Sequence, residues 1–91
     1  MILHEQKYIE FIERNGVGKN DRVASSPNSY LSYLRSVSKL ISEDITPELF
    51  RSKNSVATIA KRIKGKRADS TIRNYCSAMQ RYFEMVNEFG L

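Results

Sequence analysis

Tryptophan is absent from this chain of 91 residues, histidine and cysteine occur once each, and proline twice. A single cysteine closes no internal disulfide, so no cross-linked framework can hold the fold, and an intracellular, cytoplasmic location is the expectation. The lone His4 leaves no Cys/His spacing for a metal and no imidazole to activate a nucleophile. It also falls near the start of the chain, where fraying is expected. There is no Walker loop and no paired-carboxylate constellation, so no catalytic residue, cofactor or small-molecule substrate is expected. No run approaches the roughly 18–20 apolar residues of a membrane span, so no membrane partner is expected either. The opening MILHEQKYIEFIERNG is apolar but carries Glu5, Lys7, Glu10 and Glu13, unlike the core of a secretion signal.

What is present suits one small folded domain. The composition, 41% apolar and 27% charged, is ordinary for a globular protein. A chain this short buries only about 60–65% of its unfolded surface, so each apolar stripe has to be used. The net charge of +5 is unevenly spread: residues 51–67 hold seven bases and no acid, while Glu43, Asp44 and Glu48 lie just before them. Concentrated positive charge is the footprint of a polyanion binder, although Lys and Arg on solvated helix faces also serve solubility alone.

The apolar spacing predicts four helical segments and no strand, an all-α single domain with helices over about 5–15, 27–42, 47–64 and 70–88. The first places Tyr8, Ile9, Phe11 and Ile12 on one side, and GVGKNDRVAS after it reads as a loop. Ser26 is a suitable N-cap for the second, with Pro27 at the first helical position. Tyr30, Leu34, Val37 and Ile41 then follow at helical spacing, flanked by Leu31 and Leu40. Thr46 followed by Pro47 and Glu48 repeats the cap-then-proline signal. In the third segment Val56, Ile59, Ala60 and Ile63 face inward. A continuous helix would put Lys53 on that same face, so a break near 52–54 is expected, and Gly65 is placed to end the segment.

In the fourth segment STIRNYCSAMQRYFEMV sets Ile72, Tyr75, Cys76, Met79, Tyr82, Phe83 and Val86 on one stripe, with Cys76 reading as a small buried hydrophobe. The stripe is too wide for a two-stranded coiled coil and fits a bundle core. Its far side holds Ser70, Arg73, Asn74, Ser77 and Arg81, then turns acidic at Glu84 and Glu88. The outer face of the second segment is Asn28, Ser32, Arg35, Ser36 and Lys39, with no acid of its own. Short hydroxyl and amide side chains mixed with Arg let a helix approach DNA closely. Between the third and fourth segments, KRIKGKR is consistent with phosphate contacts from Lys64, Lys66 and Arg67, and equally with an ordinary basic loop.

Taken together, YIEFIE, SPNSYLSYLRSVSKLI, ITPELFRS and STIRNYCSAMQRYFEMV, in this order and spacing over about residues 7–87, resemble the N-terminal core-binding domain of tyrosine recombinases and phage integrases, often called SAM-like. The resemblance implies a bundle of four to five helices that clamps one side of duplex DNA during DNA integration or recombination. It implies contacts from the second and fourth helices: Ser32, Arg35, Ser36 and Lys39 on one, Arg73, Asn74, Ser77 and Arg81 on the other. Further recombinase protomers on the DNA are implied as partners. The family's chemistry resides in a separate C-terminal domain, and Leu91 falls about where the linker to that domain would begin, so this chain is expected to bind and not to cut. A helical protein-interaction module is the rival reading. An RNA binder is a third and weaker one, because exposed stacking aromatics are not evident.

Overall fold

A computed structural model describes residues 1–15 and 27–91. The expected loop GVGKNDRVAS and the Ser26 cap lie outside the described residues. Four α-helices follow one another: α1 (Glu5–Asn15), α2 (Pro27–Ile41), α3 (Ser55–Ile63) and α4 (Asp69–Phe89), with a 3₁₀ turn at Pro47–Phe50 before α3. Among the described residues there is no strand, and the architecture is all-α.

Local chemistry accounts for most boundaries. Ile41 ends α2 one residue sooner than its apolar spacing suggests, because Ser42 adopts a left-handed φ of 57°. The reversal is closed by the Glu43 N–H on the Ser38 carbonyl at 3.2 Å, and by the Ser38 hydroxyl on the Glu43 carbonyl at 2.6 Å. Thr46 opens the 3₁₀ turn by accepting the Leu49 N–H. The break expected near 52–54 is present: the chain leaves the turn at Arg51 and re-enters a helix at Ser55, leaving Lys53 exposed. Gly65, with φ of 84°, and the Lys66 N–H on the Ile63 carbonyl turn the chain out of α3. Gly90 sits left-handed just past α4, donating its N–H to the Val86 carbonyl.

α4 is the central element. It packs against α1, α2, α3 and the 3₁₀ turn, while α1 and α3 make no contact with each other and flank the α2–α4 pair. That position explains a correction to its buried stripe. Ala78 and Met85 are fully buried, whereas Ile72, Cys76 and Phe83 are only partly so. The core face is therefore rotated by roughly 60° from the one expected, since successive residues step by about 100° around a helix. Cys76 is half-buried at the edge of the core.

The N-terminus is also unlike the frayed end expected. Ile2 is buried and forms a parallel bridge with Ile45, the Leu3 N–H donates to the Ile45 carbonyl, and the terminal ammonium lies 3.2 Å from Asp44. Two tyrosines tie α4 to the first residues of the chain. Tyr8 donates to the Ala78 carbonyl and Tyr82 to the Leu3 carbonyl, each at 2.9 Å. The Tyr82 ring also lies 5.3 Å from Phe50 and 5.7 Å from Tyr8, centroid to centroid, so the 3₁₀ turn and α1 share one aromatic cluster.

Candidate nucleic-acid interface

The cations divide by what they already hold. Arg14 pairs with Glu88, Arg35 with Glu5, Arg62 with Glu43 and Arg81 with Glu84, at 2.7–3.3 Å. Lys7 and Arg14 stand over the Phe89 ring. Others satisfy main-chain carbonyls. Arg62 donates to Ile41 and Lys66, at a long 3.4 Å, to Leu40, both at the open C-terminal end of α2, where a cation is favoured. Arg51 donates to the Leu91 carbonyl, and Arg67 only to that of its neighbour Lys66. Lys39, Lys53, Lys61, Lys64 and Arg73 have no ion-pair or hydrogen-bond partner among the described residues.

Three of these five cations meet at one corner. The turn at Gly65 brings the end of α3 against the start of α4, and between them lies an open cleft of about 360 Å³. Lys61 and Lys64 line it from α3 and the turn, Arg73 from α4. Ala60 and Ile72 add apolar surface, and Asp69 is the one carboxylate. Asp69 closes no ion pair with any of them, so the cations border the cleft without being neutralised inside it. Lys66 and Arg67 are exposed on the adjoining turn.

The expected site residues do not all gather here. Lys64, Lys66, Arg67 and Arg73 do. Ser32 and Lys39 are exposed on α2, and Ser36 is half-buried there. Asn74 and Ser77 are half-buried on α4. Arg81 is held by Glu84, with a side chain only 20% exposed, which leaves it poorly placed to reach a phosphate. Arg35 crosses to Glu5 on α1, whereas Arg73 borders the cleft with α3. Arg35 is thus drawn to α1 and Arg73 lies with α3, two helices that make no contact with each other. An acid-free face on α2 in the sequence concealed an acid supplied by α1. Lys61, not among the expected site residues, also lines this cleft; its i, i+3 spacing from Lys64, directly before a turn-forming glycine, is the sequence signal for it.

Reactive side chains are placed for packing. Burial pushes the Tyr8 phenol well above its ordinary value, with Tyr30 adding to the effect, and burial does the same to Tyr82. Burial also raises the Cys76 thiol above its ordinary value. Among the described residues no group of three or more His, Cys, Asp or Glu could hold a metal ion. No helix among them is long and apolar enough to cross a membrane. No family model, curated protein or solved structure matches the chain.

Proposed function

We propose that the protein binds duplex DNA without acting on it, in the manner of the non-catalytic core-binding domain of a tyrosine recombinase or phage integrase, in DNA integration or recombination. The observation that carries this reading is the sorting of charge. Ion pairs engage Arg14, Arg35, Arg62 and Arg81, whereas Lys61, Lys64 and Arg73, which line the α3–α4 cleft, hold no acid. A surface built this way is matched by a phosphate backbone, which supplies the missing counter-charge and releases condensed cations on binding. The order of helical motifs that resembles the recombinase domain supports the same reading. The contact set differs from the one that resemblance implies: it centres on Lys61, Lys64, Lys66, Arg67 and Arg73, with Lys39 beside it in place of Arg35.

Fluorescence anisotropy with a labelled duplex across a salt series tests this. With about four to six phosphates neutralised, log affinity falls against log salt with a slope near −4 to −5. Replacing Lys66 and Arg67 with Gln weakens binding and flattens the slope. Wild-type protein that ignores duplex at low salt, or a double variant that binds unchanged, would refute the assignment.

A second reading has its own observation. Phe89 is 38% exposed at the end of α4, wrapped by Lys7 and Arg14 next to Phe11, and such a patch suits a protein partner or a neighbouring protomer. An apolar dock of that kind responds little to salt, so the same titration separates the two.

A further inference from the structure

The geometry points to a single phosphate seat in the α3–α4 cleft, shared by Lys61, Lys64 and Arg73, with Asp69 built in as a competing carboxylate that holds its affinity down. The inference deepens the duplex reading and rests on it for its DNA arm. Three basic residues line one open cleft of about 360 Å³, which a phosphate and its sugar can enter. None of the three is drawn off to an acid or a carbonyl, although Asp69 lines the same cleft. Basic residues that line one cleft and are not bonded to the carboxylate in it leave their charge available to an anion entering there. Ala60 and Ile72 give the cleft an apolar wall for the carbon face of a deoxyribose. Lys66 and Arg67, outside the cleft, make separate and looser contacts.

A shared seat and three independent contacts differ in a measurable way. The salt slope counts neutralised phosphates, at about 0.9 for each on duplex DNA. If Lys61, Lys64 and Arg73 converge on one phosphate, the triple variant Lys61→Gln/Lys64→Gln/Arg73→Gln flattens the slope by about 0.9, and the single variants are strongly non-additive. If each holds its own phosphate, the slope flattens by about 2.7 and the losses add. Asp69→Asn removes a repelling charge at the rim and tightens binding about threefold at low salt, an effect that fades as salt is raised.

The decisive experiment pairs that duplex series with a titration of inorganic phosphate alone, followed by amide NMR shifts in wild type, Asp69→Asn and the triple variant. Melting curves confirm that each variant is folded. Expected are saturable shifts concentrated at Ala60, Lys61, Lys64 and Ile72, tighter in Asp69→Asn and abolished in the triple variant. Shifts that stay linear and spread over all surface cations overturn the seat, as does a slope change near 2.7. An unchanged midpoint in Asp69→Asn overturns the role given to that carboxylate. Should Lys66→Gln/Arg67→Gln weaken duplex binding while the triple variant leaves it intact, the seat falls and duplex binding stands. Should wild type bind no duplex, the functional reading falls and the phosphate titration still decides the seat.

Discussion

Alkaline pH offers a test of the core that needs no ligand. Tyr8 and Tyr82 are fully buried, and burial raises both phenols above the ordinary 10.0, Tyr8 more than Tyr82. The unfolded chain releases these protons near pH 10 and the folded chain retains them, so folding takes up protons above that point. A raised folded-state value contributes stability that is fully present below pH 10 and is lost as pH climbs beyond it. Each phenol removes about 1.4 kcal/mol per pH unit, so the pair costs close to 3 kcal/mol per unit between pH 10 and 12. A domain of this length has a total stability of about 5–14 kcal/mol, so two units consume a large share of it. Urea midpoints measured from pH 7 to 12 should be flat below about pH 9 and then drop steeply. Tyr8→Phe and Tyr82→Phe should each remove about half of that steep limb. Each also loses one hydrogen bond, about 1 kcal/mol at neutral pH. Stability that stays level to pH 12, or a steep limb that persists unchanged in both Tyr→Phe variants, would refute the account of these two rings.

Two further perturbations separate structural from functional charge and test the turn beneath the cleft. Arg35→Gln breaks a half-exposed pair with Glu5, costs no more than about 1 kcal/mol by urea denaturation, and leaves the duplex salt slope unchanged. A flattened slope would return Arg35 to the interface. Gly65→Ala meets no neighbouring atom within 4 Å, so its cost is the left-handed φ of 84° alone, about 1–2 kcal/mol in a thermal melt; a neutral result would mean the turn relaxes to another conformation.

How legible the fold was depended on which signals were local. The turn from Thr46 to Pro47, the interruption around Lys53 and the glycine stop at Gly65 depend on nearest neighbours and are present as the sequence implied. The rotation of the α4 stripe was not legible, because it depends on α4 being contacted from several sides at once, and Ala78 enters the core by its position and not by its size. Ile2 and Ile45 were equally hidden. Ile45 stands alone between Asp44 and Thr46, Ile2 sits in the short apolar start Met1–Leu3, neither shows helical periodicity, and their pairing spans over forty residues. At the candidate site, sequence located the basic segment but could not sort its members. Arg62 and Lys66 lie in the same run as Lys61 and Lys64, and only the approach of the α2 C-terminus diverts the first two to its carbonyls.

That diversion gives the corner its geometry. Arg62 joins Glu43 and the Ile41 carbonyl from the last turn of α3, and Lys66 reaches Leu40 from the following turn, so cations on both sides of the cleft-lining Lys64 are anchored to α2. On the other side, α4 is fixed by Tyr75 against Tyr33 of α2 at 5.8 Å between centroids. Both walls of the cleft therefore refer to one helix, and the spacing between Lys61, Lys64 and Arg73 is set by packing that these three side chains do not themselves provide. A loop bearing the same charges would lose conformational entropy each time it gathered them around an anion, whereas here folding has already met that cost. On the proposed reading, Arg62 would act on anion binding at a distance. Arg62→Gln should weaken phosphate and duplex binding less than Arg73→Gln does, and should leave the salt slope intact, because it alters the placement of cations and not the number of phosphates they neutralise.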